Sequence, residues 1–587
     1  MAIPKLTEKQ MVQRLIQRNS TAKSIRRERW EPLWDEVMQY LWPQMGSMID
    51  QTAFMPGEKR GHRAYDGTPE SALDIMVAGL QTGTIPENYP WFDWEMVPPP
   101  LNQIKAVKVW LQACRDIALE FLAASNFGMA TNLTYRWLTA FGTACKFRAK
   151  LDDPGKPFGF HVLRLTDCVF FENDKGLVDT LFWEFKTSAR NALKRWGDQA
   201  PGACKRAVES GEMDQEFNFL QSIFPREDYD GYRFDNKNMP WASWIINPAK
   251  VELVSESGFR TFPADVPRWE KLDDQAFAYG AQLGGSVYGR GPGIKCLQDM
   301  AVLNQQMRSN TIAGQKMVEP AWDIPDDWYE RYIDFAPNAQ NRSSRRDSSG
   351  PKIEPLGVPP QAPFALQVQQ AQRQMIQQAF HVDVFLTLNN VPAGMTATEA
   401  MIRRQEALTI LEPMISRQKV EHLERDLDWI FAVLDEAGYL PPPPDEVFMY
   451  GRGIRNVFRS PLFMAQEALK ATKVLQTYQK AAAIVQARGG NQNVLDNLDD
   501  DEALRIIVEA DGVPADLLLD PAKRDQVRQA RLQQQQQMMQ EQQALIAARV
   551  ASAMGKVKTG EGGGRNLAAD TMKQLSGENP EESQNAA

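Results

Sequence analysis

The feature that most constrains this chain is a pair of helical patterns set on either side of a long break rich in Pro, Asp and Ser. Gly291-Pro292 places proline in a first helical turn, where its missing N–H costs nothing. Ile294, Leu297, Ala301, Met307 and Ile312 follow at loosely helical spacing towards Pro320. A helix of about 25 residues spans ~38 Å at 1.5 Å per residue. The break contains Asn341-Arg342-Ser343-Ser344-Arg345-Arg346-Asp347, a composition that predicts an exposed loop. A return helix starts beside Pro363, with Phe364, Val368, Ala371, Met375 and Ala379 on one stripe and glutamine on most other faces. Stripes this narrow are not fully buried within one copy, so the pattern predicts neighbours in an assembly.

After the return helix, Leu388-Asn389-Asn390-Val391-Pro392-Ala393-Gly394 breaks the periodicity. Thr396 and Glu399 have capping-box spacing for a third helix carrying Leu408, Leu411, Ile415, Leu423 and Leu427. Pro413 inside it predicts a kink near Glu412. Gly438 and Pro441 to Pro444 stop this helix, and Val447 to Tyr450 with Arg455 to Phe458 are expected to pair as a hairpin around Gly451-Arg452-Gly453. Helices resume at Pro461 and run to about Ala510. Pro521 to Val550 forms a glutamine-rich helical stretch without strict heptads, and the composition from Met554 onward predicts disorder.

Upstream, Thr7 and Gln10 open a helix ending near Pro43, with Trp30, Trp34, Tyr40 and Trp42 as a packed aromatic face. Further helices are expected at about 69–80 and 104–124. From Phe141 the period becomes two: strands are expected at Cys145–Leu151, Phe160–Phe171, Leu177–Phe185, Phe217–Phe224 and Trp241–Val254, with a helix at Ser188–Trp196. The fold class is therefore α+β and mainly helical.

Composition narrows the chemistry. The chain has 587 residues, with 66 Lys and Arg against 75 Asp and Glu for a net charge of −9, so any nucleic-acid contact is local. No apolar run reaches the ~18 residues of a membrane span, which predicts a soluble protein. Five cysteines without a CxxC pair and four scattered histidines give no metal-ligand spacing, so no metal and no cofactor is expected. Gly155-Lys156 and Gly555-Lys556 lack the rest of a phosphate loop, and Gly289-Arg290-Gly291-Pro292-Gly293 misses the dinucleotide fingerprint. The acidic run Asp499-Asp500-Asp501-Glu502 is the best magnesium candidate. Consecutive acids on a helix point in different directions, which favours an exposed charged face.

The layout and several motifs together resemble the podovirus-type portal, or head-to-tail connector, of tailed bacteriophages. The matching residues are Tyr288-Gly289-Arg290-Gly291-Pro292-Gly293 followed by Asp299, Leu303 and Asn304, and Met395-Thr396-Ala397-Thr398-Glu399-Ala400 with Arg403, Arg404 and Glu406. Tyr65-Asp66-Gly67-Thr68, Ala78-Gly79-Leu80, Pro90-Trp91-Phe92 and Ser460-Pro461-Leu462 also match, so the likeness covers roughly residues 25 to 480. The resemblance implies a wing over 1–288, a first stem helix over 289–318, a clip over 319–362, a second stem helix over 363–386 and a tunnel loop over 387–395. It further implies a kinked wing helix and hairpin over 396–460, a helical crown over 461–520, a glutamine-rich helix over 521–552 as a candidate barrel, and a disordered tail over 553–587.

By the same resemblance the protein is structural and not an enzyme: a twelve-subunit ring at one capsid vertex, through which double-stranded DNA enters on packaging and leaves on ejection. Its implied partners are the major capsid protein, the terminase, a tail adaptor and internal ejection proteins; its place is the virion, and the host cytoplasm during assembly. Gln370, Gln374 and Gln377 are channel candidates, because translocation needs weak, sequence-blind contacts where a ring of cations would hold DNA by counterion release. A merely solvated glutamine face fits the sequence equally well. Asn389, Asn390, Pro392 and Gly394 would shape the tunnel loop. Arg342, Arg345 and Arg346 would contact a partner of the clip or sit in a solvated loop. Two other classes stay open on sequence: a nucleic-acid-processing enzyme of the packaging machinery, and a soluble tail adaptor or scaffold protein.

Overall fold

The computed structural model describes residues 7–49, 64–87, 89–97, 99–233, 235–271, 287–318, 322–323, 354–355, 362–389, 411–450 apart from 412, 453–459, parts of 474–504, and 521–557. The chain divides into units 1–512 and 513–587.

The N-terminal pattern folds as two helices rather than one. In α1 (Glu8–Arg29) the Thr7 N–H donates to Gln10 Oε1 at 3.0 Å, as the capping box requires. Pro32 has no N–H to continue the ladder, so a second helix, α2 (Glu31–Leu41), starts after Trp30. Buried Arg26 braces the junction: its guanidinium donates to Glu31 at 3.0 Å and to the Leu165 carbonyl at 3.1 Å. Trp34 is fully buried and Trp30, Tyr40 and Trp42 pack against the same core, so the aromatic cluster is a core face. Next come α3 (Thr68–Thr84), β1 (Phe92–Met96), α4 (Lys105–Ala124) and α5 (Phe127–Phe141).

The β region forms two antiparallel sheets. β2 (Cys145–Asp153) lies between β3 (Lys156–Leu163) and the short β9 (Ala264–Asp265). β4 (Cys168–Glu172), β5 (Val178–Ser188), β6 (Glu216–Pro225), β7 (Trp241–Asn247) and β8 (Glu252–Phe259) form a five-stranded meander. The single strand expected over Phe160–Phe171 is broken by a tight turn at Leu165–Asp167, which sends its two halves to different sheets. Between β5 and β6 lie α6 (Ala189–Trp196), capped by Ser188 Oγ accepting from the Asn191 N–H at 3.4 Å, and an unanticipated α7 (Gly202–Glu209).

The first long helix is preceded by one short turn, α8 (Pro292–Lys295), and continues as α9 (Leu297–Val318). Its return partner is α10 (Ala362–Ala379), followed by α11 (Val382–Asn389) after a break at His381, whose φ is +50°. Between the long helices, β10 (Trp322–Asp323) pairs antiparallel with β11 (Glu354–Pro355). Beyond it, a helical run from Met414 passes through a wide π turn at Lys419–Leu423 into α12 (Glu424–Glu436). Pro413 is itself helical, Glu412 lies outside the described residues, and the described irregularity is this wide turn, six residues downstream of the proline.

The expected hairpin at 447–458 does not form. Asp445–Tyr450 is a helix, α13, with Asp445 and Glu446 in its first turn, where carboxylates suit the helix dipole. The other half, β12 (Ile454–Phe458), pairs with β1 instead, from Phe92 opposite Phe458 to Met96 opposite Ile454. Burial decides the exchange: Phe92, Trp94 and Met96 alternate into a core completed by Leu427, Ile430 and Phe458. In the second unit a single helix, α14 (Pro521–Val557), runs past the expected end near 552.

Candidate functional site

The three glycines of the segment 289–293 have a packing reason. Gly289 donates its N–H to Thr143 Oγ1 at 2.8 Å and Arg290 to the Glu270 carbonyl at 2.8 Å, so this segment crosses directly over the end of α5. A Cβ on Gly291 would stand 2.6 Å from the Thr139 oxygen and 2.8 Å from that of Leu138, and one on Gly293 would collide with the Ala140 carbonyl. On the other side of the crossing, Gly142 adopts φ +77°. The motif is therefore a close backbone crossing that fixes the start of α8 and α9 against the end of α5, not a phosphate cradle.

A second anchor fixes α9 against α10. Asp66 Oδ2 accepts from Arg373 Nε at 3.0 Å and Nη2 at 2.8 Å, and Asn304 Oδ1 accepts the Tyr65 N–H at 2.7 Å. Gln372 Nε2 donates to Asp299 Oδ1 at 3.2 Å. Burial pushes the Asp66 carboxyl upward, but hydrogen bonds from Thr68 and Arg373 outweigh it and leave the group below its ordinary value. Gly79 on α3 gives the space for Phe385 of α11, whose ring would meet any Cβ there. The motifs Tyr65-Asp66-Gly67-Thr68 and Ala78-Gly79-Leu80 thus clamp the helix pair.

The packing face of α10 is rotated from the expected stripe. Gln369, Ile376 and Phe380 are buried, whereas Ala371 and Met375 face outward. One residue of offset is about 100° of helix, and the larger Ile376 and Phe380 win the core over Val368, Ala371 and Met375. Gln370 and Gln374 are exposed and Gln377 is half-buried, so at least two of the three predicted positions are free to face a partner. Val302 and Ile312 on α9, Met375 on α10 and Leu386 on α11 remain 41 to 49% exposed, apolar surface that one copy leaves uncovered.

A buried ionic cluster, invisible in the sequence, fastens the π turn and α12 to the small sheet. Lys146 on β2 ion-pairs with Asp426 and lies 2.5 Å from His422 Nε2; all three side chains are fully buried. Arg148 stands 3.4 Å from Asp265, and Arg268 holds Glu421 through its own N–H at 2.9 Å and Nη2 at 2.7 Å. Burial, aided by Lys146, drives His422 down to about 3, so it is neutral. Burial also lifts Asp265 well above the usual carboxylate range; Arg148 opposes this and Asp426 reinforces it. Asp426 is held low: burial would raise it, and Lys146 with the Asp265 hydrogen bond overcomes that. Of the two carboxyls, Asp265 is the harder to ionise and Asp426, paired with Lys146, the easier.

Of the other predicted positions, Asn389 ends α11, three residues beyond the expected helix end at 386, so the helix extends into the segment expected as a tunnel loop. Asn390, Pro392, Gly394, Arg342, Arg345 and Arg346 lie outside the described residues. Asp499 accepts the Asp501 N–H at 3.0 Å through its side chain and the Ala503 N–H at 2.9 Å through its carbonyl, which makes it a helix cap. Among the described residues no group of His, Cys, Asp and Glu is arranged to hold a metal ion, and no helix is long and apolar enough to cross a membrane.

The sequence pattern of the family described as bacteriophage head to tail connecting protein matches residues 12–519. The chain belongs to that family. This connector is 28% identical over 555 residues to the probable portal protein of Bordetella phage BPP-1, covering 94% of this chain and 96% of that one. It is 24% identical over 540 residues to the portal protein of Salmonella phage epsilon15, covering 91% and 94%. The match takes in the glycine crossing, the clamped helix pair and the buried ionic cluster alike.

Proposed function

We propose that this connector is the portal subunit of a tailed phage: copies assemble into a twelve-fold ring at one capsid vertex, and double-stranded DNA passes through its axis. The observation that carries this reading is the clamped antiparallel pair α9 and α10 with the following α11, which leaves Val302, Ile312, Met375 and Leu386 open to neighbours and Gln370 and Gln374 open to solvent. A ring of such pairs gives each copy the cover its apolar residues lack and surrounds a hole with uncharged amides. In this reading, residues 319–362, with Arg342, Arg345 and Arg346, meet the terminase and then tail proteins. The turn containing Asn390, Pro392 and Gly394 projects into the channel. The role is structural, and the working state lies in the virion.

The test replaces Gln370, Gln374 and Gln377 by lysine one at a time. An inward position places about a dozen cations at one level, and each phosphate they neutralise steepens log affinity against log salt by about 0.9. The variants at inward positions assemble normally, bind duplex DNA more tightly at low salt with a steeper salt dependence, and package more slowly. Parent-like binding and packaging in all three would remove α10 from the DNA path.

A further inference from the structure

The helix α14 (Pro521–Val557) carries six cations against two carboxylates, a net of +4 in a chain of net −9. Its charges are sorted by face. Arg524, Arg528, Arg531 and Arg549 fall, at 100° per residue, within a sector of about 60°, and Gln535 and Gln542 continue the same row. Glu541 and Asp525 lie roughly 90–110° to either side of the row, and Asp525 pairs with Arg524 at 3.1 Å, at the edge of the row. The row steps by four and three residues in turn, from 524 to 549, as the contact line of a coiled coil does. Arginine at four of its eight positions makes that line self-repelling between parallel copies, so another copy of the helix is a poor occupant. Every described residue from 525 to 549 is exposed.

We propose that this arginine row binds the phosphate backbone of duplex DNA. Charge complementarity selects a polyanion, and the length agrees: the 25 steps from Arg524 to Arg549 extend ~38 Å at 1.5 Å per residue, slightly more than one turn of duplex at ~34–36 Å. Eight further glutamines lie on the other faces, suiting sequence-blind hydrogen bonding. An anionic membrane needs a broad apolar face with aromatic residues; this helix exposes Val527, Leu532, Met538, Met539, Leu545 and Ile546, set beside the arginines rather than on a separate face, and carries no aromatic residue. The stem glutamines then let DNA slide while this row holds it. The identity of the polyanion rests on the portal reading.

The test uses the full chain with R524Q, R528Q, R531Q and R549Q combined, and a second version with all four changed to lysine. A 40-base-pair duplex is titrated by fluorescence anisotropy from 50 to 300 mM salt, beside vesicles of phosphatidylglycerol, and rings are counted by electron microscopy. The glutamine version forms rings like the parent, but its slope of log affinity against log salt falls by about 3 to 4, from four contacts at about 0.9 each. Its duplex affinity near 150 mM drops more than tenfold, and the lysine version keeps the parent's slope. An unchanged slope in the glutamine version overturns the proposal, as does a loss confined to the vesicles. Absence of rings in the parent itself would instead strike the portal reading.

Discussion

Replacing Asp426 by asparagine destabilises the fold by about 3–5 kcal/mol, because it strands the Lys146 ammonium in a fully buried site with neutral His422 as its neighbour. Replacing Asp265 by asparagine costs less than about 1 kcal/mol, although that residue is equally buried, since the amide imitates the protonated form that burial favours. Urea midpoints of the two variants distinguish the roles; equal losses would show that the proton does not reside on Asp265. The pH dependence follows from the shifts. A raised Asp265 stabilises the fold below the unfolded carboxylate value of ~3.9 and loses that contribution as pH climbs through its folded value. Depressed His422 works the other way, its neutral burial opposing folding as pH falls below 6.5 towards about 3. The two groups therefore act in opposite directions: a fall in pH below 6.5 costs stability through His422, and a rise above ~3.9 costs it through Asp265. Asp265→Asn removes the second of these.

The second large effect lies at the backbone crossing. Gly291→Ala puts a methyl group 2.6 Å from the Thr139 oxygen, 2.8 Å from the Leu138 oxygen and 2.9 Å from the Gly142 nitrogen, all backbone atoms at the end of α5. No side chain can turn away, so the start of α9 must shift. A loss of about 3 kcal/mol is expected, the upper end for overpacking, with ring yield falling in parallel. Gly202→Ala, with nothing within 4 Å of its Cβ position, stays within about 0.5 kcal/mol of the parent. Matching behaviour of the two variants, by thermal midpoint and by ring yield, would contradict the crossing as the reason for these glycines.

What was legible in the sequence was whatever is written in local period and punctuation. Pro292 and the stripe after Gly291 marked α9, Ser188 marked α6, and alternating residues marked the meander strands. Misreadings arose where a distant partner decided the outcome. The strand Ile454–Phe458 looked like half of a local hairpin, but a better buried face was available on Phe92–Met96, more than 350 positions earlier. The stripe on α10 was displaced by one residue because Ile376 and Phe380 pack deeper than Ala371 and Met375. The clamp between Asp66 and Arg373, and the pairing of Lys146 with Asp426, join residues whose spacing carries no periodic signal. Motif likeness pointed to Tyr65-Asp66-Gly67-Thr68 without revealing what the aspartate holds.

The central claim is that the clamped pair α9 and α10 repeats around an axial hole. Electron cryomicroscopy of the purified chain, without symmetry imposed and with duplex DNA added, tests it most directly. The account predicts rings of about a dozen copies whose hole is walled by residues 297–318 and 362–389, with Val302, Ile312, Met375 and Leu386 covered by adjacent copies. Monomers at micromolar concentration, or rings whose hole is walled by other elements while this pair faces outward, would contradict it.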